Sequence, residues 1–138
     1  MILSTMLMAF TAAPADPQFN QFGYPTVQFR DEVKAALTDG IKEYTLCARN
    51  ASVKFYKGPD AAPIIAEAAM NKCSQIESQI AELNANYVAI KSSIDSGFEF
   101  KMMARNAQER RDELWKPIRD KIKSSIISYV LEMRSKNK

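Results

Sequence analysis

The sequence predicts an all-α chain, an elongated antiparallel three-helix bundle running up, down and up. Three observations predict it. Apolar residues recur at steps of three and four along three long stretches, the mark of one-faced amphipathic helices. Only four glycines occur in 138 residues, and the repeated strand-and-turn punctuation of an all-β sandwich is missing. One turn register sets the apolar seams of the first two stretches opposite each other. The length suits a single domain with its own core.

The chain opens "MILSTMLMAFTAAPA". Its apolar run from Ile2 to Phe10 is too short to span a bilayer. It fits the apolar region of a signal peptide over residues 1–15, with small residues Ala13 and Ala15 ahead of cleavage before Asp16. No Lys or Arg precedes the run, which points to a start upstream of Met1 or to a weak signal. The competing expectation is an apolar segment packed on the protein or inserted elsewhere.

Residues 16–28 read as an aromatic-rich extended arm, with the bundle over 29–138. Phe19, Phe22 and Tyr24 alternate there with Pro17, Gly23 and Pro25, which forbid a regular helix. Two readings stand: an arm that packs its rings on the bundle, or a recognition arm that orders on a partner.

The first stripe runs through Val33, Leu37, Ile41, Tyr44, Ala48, Ala51 and Phe55. It predicts a helix of about 28 residues, on the order of 40 Å long. In "KGPD", Gly58 is expected to leave that helix in a left-handed conformation, Pro59 to stop it, and Asp60 to cap the next. Pro63 falls in the first turn of the second helix, where a missing N–H costs nothing.

Two helices joined by so short a turn run antiparallel. Centring the turn on Asp60 pairs Phe55 with Ile65, Ala51 with Ala69, Tyr44 with Ile76, Leu37 with Leu83 and Val33 with Tyr87. The same register sets Cys47 opposite Cys73, the only cysteines. A redox motif would space them by two residues, and a zinc site needs more ligands than this chain, with no histidine, supplies. A structural disulfide is expected, with two buried thiols as the alternative.

The second helix continues through Ile76, Ile80, Leu83, Tyr87, Ile90 and Ile94 to a cap at Gly97. A brief extended turn at Phe98 and Phe100 is then expected. The third stripe follows over Met103, Ala107, Leu114, Ile118, Ile122, Ile126, Tyr129 and Met133. Pro117 inside it predicts a kink or division there.

Charge is uneven: residues 101–138 hold 11 Lys/Arg against 5 Asp/Glu. A basic third of this kind can meet anionic partners. Here, however, Glu109, Asp112 and Asp120 share the sector of Arg105, Lys116 and Lys123, which reads as a solvated face. The uninterrupted basic stripe of a nucleic-acid footprint is missing, so nucleic acid is not an expected partner. Arg111 falls near the apolar edge and is expected to snorkel or to meet a carboxylate on the second helix. "NAS" at Asn50–Ser52 matches a glycosylation acceptor but lies mid-helix.

The chain has no histidine to serve as general base or metal ligand. Glu67, Glu77, Glu82, Asp31 and Glu32 fall on faces that read as exposed, and the sequence brings no pair of them together. Phosphate loops, the G-x-S-x-G elbow and the calcium loop are missing too. The expectation is a non-enzyme without cofactor or metal.

"YTLCARNASVKFY…APIIAEAAMNKC" is similar to a pattern in short secreted proteins of proteobacteria, where a signal peptide precedes a helical hairpin. The resemblance covers Tyr44 to Cys73. It implies an exported, disulfide-pinned helical domain and nothing catalytic, and it carries over Cys47 and Cys73 alone.

The expected function is a periplasmic or secreted binding module at the cell envelope with a protein partner. Its candidate contacts are Phe19, Phe22 and Tyr24 on the arm and Phe98, Phe100 and Met102 at the second turn. The alternative is a carrier or membrane-surface protein that takes an apolar ligand or lipid between its helices. A carboxylate enzyme is a third.

Overall fold

The computed structural model describes residues 18–138. The signal segment over 1–15, its cleavage point and the first residues of the arm lie outside the described residues. Five helices and no strand occur among the described residues: α1 (Val27–Ser52), α2 (Ala62–Lys72), α3 (Ser74–Ser96), α4 (Phe100–Glu109) and α5 (Arg111–Lys136). The all-α class holds. The expected three helices, the third kinked or divided at Pro117, are five, because the second and third stripes are each interrupted once, the third at Arg110 rather than at the proline.

Helix α1 begins at Val27, ahead of the expected boundary at residue 29. Thr26 caps it, its Oγ1 accepting the Phe29 N–H at 3.2 Å. The helix ends at Ser52, whose hydroxyl donates back to the Arg49 carbonyl at 2.7 Å. The Ser52 carbonyl then accepts from both Phe55 and Tyr56 at 3.0 Å, so the chain leaves in tight turns.

That early exit overturns three expectations. Phe55 is off the helix and over a third exposed. Gly58 is not left-handed; only Gly23 and Gly97 have positive φ among the described residues. Asp60 does not cap α2: Ala61 holds that place without a side-chain bond. Pro63 does sit in the first turn.

The facing register of α1 against α2 and α3 holds at its centre. Cys47 and Cys73 form a disulfide with Cα atoms 6.2 Å apart, within the span such a bond requires. Gly40 lies against Ile80, so close that a β-carbon there would come within 3.2 Å of Ile80 Cγ1. The break between α2 and α3 falls on Cys73 itself, at φ −106° and ψ 20°, with its N–H turned to the Met70 carbonyl.

Helix α3 ends as expected at Gly97, which takes φ 69° while its N–H bonds the Ser93 carbonyl at 2.9 Å. A β-carbon at Gly97 would touch nothing, so substitution there costs backbone strain alone. Gly97→Ala is expected to lower stability by about 1 kcal/mol, and Gly97→Asn by less, since Asn tolerates the left-handed region better. Urea denaturation of the two variants checks this; an Ala variant as stable as the parent would remove the cap.

The interruption of the third stripe falls at Arg110 (φ −105°, ψ 17°), and α5 continues through Pro117 as one helix. Asp112 and Glu113 occupy the first turn of α5, where carboxylates favour a helix start. Arg110 grips Glu113 through two 3.0 Å bonds.

Helices α4 and α5 run antiparallel to α3 and α2 and parallel to α1, where Tyr44 meets Trp115 and Arg49 meets Ser125. Gln108 meets Asn86 and Trp115 meets Glu77, Arg119 meets Glu67, and Arg134 reaches Tyr56, Gly58 and Asp60. Partners thus fall in number along α3 and α2 as they rise along α4 and α5. The main core gathers Leu37, Tyr44, Ile65, Met70, Ile80, Trp115, Ile122, Ile126 and Val130, and a smaller one packs Ala85, Ala89 and Ala107 beside Phe100 and Met103. Helix α1 rises about 39 Å. At one end its start meets the α3–α4 turn, through rings of Phe19 and Phe100 5.4 Å apart; at the other, the α1–α2 turn meets the end of α5.

Candidate functional site

The described residues before α1, 18–26, form a compact loop rather than an extended arm. Phe19 bridges Pro25 in antiparallel fashion, and the Thr26 N–H bonds the Gln18 carbonyl at 2.8 Å. Inside that closure Asn20 organises the turn. Its Oδ1 accepts the N–H groups of Phe22 and Tyr24 at 2.9 and 3.0 Å, and its own N–H bonds the Tyr24 carbonyl. Asn is suited to such a turn because its short amide can copy a backbone acceptor. Gly23, at φ 78°, supplies the left-handed residue the reversal needs.

The six candidate contact residues divide. Phe19 and Phe100 are half-buried, and Phe19 stacks at a tilt on Phe29, centroids 5.8 Å apart, as well as on Phe100. These two anchor the loop to the start of α4. Phe22, Tyr24, Phe98 and Met102 face solvent, Phe22 at 74% exposure. The arm and the second turn, separate in the sequence, therefore meet at one end of the molecule. Part of each packs and part of each is presented.

The carboxylates behave differently from their sequence reading. Glu67 on α2 and Glu77 on α3 converge on Arg119 of α5. Arg119 Nε donates to Glu77 Oε1 at 2.6 Å, and its terminal nitrogens take both oxygens of Glu67 at 2.7 and 3.2 Å. Trp115 Nε1 donates to the same Glu77 oxygen at 2.9 Å, and Lys123 closes on Glu67 at 2.8 Å. Lys123 is thus corrected from a solvated face to a half-buried partner of α2. Arg119 was not singled out in the sequence, because nothing on its own helix marks it.

Two acidic groups in one place invite acid–base chemistry, but the arrangement opposes it. Hydrogen bonds from Arg119 and then Lys123 hold the Glu67 carboxyl down at about 2, so it stays ionised and committed to its cations. Arg119 is pushed up in turn, chiefly by Glu67. The Tyr44 hydroxyl faces this cluster fully buried and without a well-formed hydrogen bond; burial first, then the Glu77 charge, pushes it up. The cluster ties α2 and α3 to α5 and offers no free acid or base.

Cys47 is half-buried and Cys73 buried within the core, a cross-link between packed helices. Arg111 reaches Ser78 of α3 at 3.1 Å, and its carboxylate partner is the adjacent Asp112 at 3.9 Å rather than one on α3. Lys116 and Asp120 pair at 2.8 Å on the surface as expected. Among the described residues no cluster of three acidic or cysteine side chains could hold a metal ion, and no helix is long and apolar enough to cross a membrane. Compared with known proteins, the chain matches no family model, no curated protein and no solved structure.

Proposed function

We propose that the protein is a non-enzymatic binding module of the periplasm or the extracellular space, which holds an envelope protein partner through its loop end. The single observation that carries this reading is the loop itself. Asn20 fixes a turn whose tip, Phe22, stands in water. A ring held in one place by backbone bonds loses little freedom on binding, which is what makes a good aromatic anchor. Phe98 and Met102 extend the apolar surface on the neighbouring turn.

The disulfide is consistent with an oxidising compartment. We read the five helices as three antiparallel arms, α1, α2 with α3, and α4 with α5, whose length separates the loop end from the α1–α2 turn. In this reading the bundle is a rigid spacer and the ends are where it acts.

A photo-crosslinking residue placed at position 22 or 102 of the exported protein tests this, with Leu46, exposed towards the other end of α1, as the comparison. Crosslinks to one envelope protein are expected from 22 and 102 and not from 46. Phe22→Ser should abolish the crosslink from 102 while changing stability by less than about 0.5 kcal/mol. Identical products from all three positions would sink the proposal.

A further inference from the structure

The opposite end of the molecule carries a second surface, which does not depend on the loop-end reading. We propose that the α1–α2 turn, joined to the last turn of α5, docks the protein on an anionic phospholipid surface.

The turn reads "VKFYKGPD", apolar and basic residues in alternation. Its backbone is closed by short bonds, Phe55 N–H to the Ser52 carbonyl at 3.0 Å and Gly58 N–H to the Phe55 carbonyl at 2.9 Å. Arg134 of α5 then clamps it, donating to the carbonyls of Tyr56, Gly58 and Asp60 at 2.8, 2.9 and 2.6 Å. This clamp brings the end of α5, with Lys138, beside Lys57, the two lining one hollow, and Lys54 lies on the same turn.

Two consequences follow from the clamp. First, Arg134 spends its donors on neutral carbonyls, so its charge is positioned without being cancelled. Against the cations stand Asp60 and Glu132, and Glu132 is taken by Lys136. Lys54, Lys57 and Lys138 have no ion pair among the described residues. Second, the turn is held with Val53 at 47% and Phe55 at 37% exposure, so apolar side chains stand among the lysines. A hollow lined by Tyr56, Lys57, Gly58, Arg134, Asn137 and Lys138 lies between turn and helix, a basic seat suited to a headgroup phosphate.

Charge complementarity selects an anionic occupant, and the exposed Val53 and Phe55 select among anions. A nucleic-acid backbone would leave both facing water. A bilayer interface takes both components, lysines at the headgroups and an aromatic ring at the acyl boundary.

The test is co-sedimentation of the oxidised full chain with phosphatidylcholine vesicles, with or without phosphatidylglycerol, at low and high salt. Binding to the anionic vesicles alone, weakened by salt, is expected. Lys54→Gln with Lys57→Gln should weaken it about thirtyfold, since each basic residue near such a surface is worth about 1 kcal/mol and about 1.4 kcal/mol is tenfold. Phe55→Ser should weaken it at both salt concentrations, and Phe22→Ser should not. All four replaced side chains are exposed, so the variants should unfold at the parent's temperature. Equal binding to uncharged vesicles, indifference to the lysine pair, or binding to a single-stranded oligonucleotide in place of vesicles would each overturn the proposal.

Discussion

Replacing both cysteines, Cys47→Ala with Cys73→Ala, is expected to lower stability by about 3.5 kcal/mol. The bond closes a loop with a sequence separation of 26 residues, and the chain-entropy relation gives about that value for such a loop. In a domain of this size the loss corresponds to a fall of about 10–15 °C in Tm. Alanine is the better probe because Cys73 is 3% exposed, and serine would add a buried hydroxyl. The double variant should stay helical at room temperature, since Tyr44, Ile65, Met70, Ile126 and Val130 remain fully packed around it. Urea denaturation of parent and variant gives the difference directly. A loss below about 1 kcal/mol would mean that the unfolded chain already holds α1 near α2, so that the cross-link removes little freedom.

That cross-link was legible in the sequence because its cause is local. A short turn forces antiparallel packing, and one apolar register then puts sulfur opposite sulfur. Gly97 was legible for the same kind of reason, a small residue at the end of a long stripe. The two interruptions were not. At Arg110 the apolar stripe only skips one step, from Ala107 to Leu114 across two arginines, and the acidic pair Asp112 and Glu113 is the other sign of a helix start. At Cys73 the stripe is continuous, and the break falls on the residue that carries the bond to α1.

The candidate surfaces show the same divide. Composition marked Phe19, Phe22, Tyr24, Phe98, Phe100 and Met102, but could not tell presented rings from anchoring ones. That division depends on Asn20 folding the arm into a loop and on Phe19 landing against Phe100. The Arg119 cluster was hidden for a stronger reason. Its members lie on α2, α3 and α5, the bonds of Trp115 and Arg119 spanning 38 to 52 residues along the chain, and each charged member alone looks like an ordinary surface charge.

Replacing Arg119 by methionine is expected to cost about 3 kcal/mol. Its side chain is 22% exposed and holds Glu77, which is 16% exposed. Removing one partner of a largely buried pair leaves the other carboxylate desolvated with only Trp115 to bond it, and such losses run at about 3–5 kcal/mol. The low end applies, because Glu67 is over a third exposed and water screens its share. Adding Glu67→Gln and Glu77→Gln to Arg119→Met should recover most of the loss, since no charge is then stranded. Acid gives an independent reading of the same contacts. Glu67 titrates at about 2 against an ordinary 4.5, so its stabilisation is complete above about pH 4.5 and is lost as the pH falls through about 2. The parent's Tm should decline across that window, and Glu67→Gln should flatten the decline. If Arg119→Met instead unfolds with the parent, the cluster contributes no net stability, and its carboxylates would have to be considered as a site after all. A structural tie has to show in the unfolding curve, in both the substitution and the acid limb.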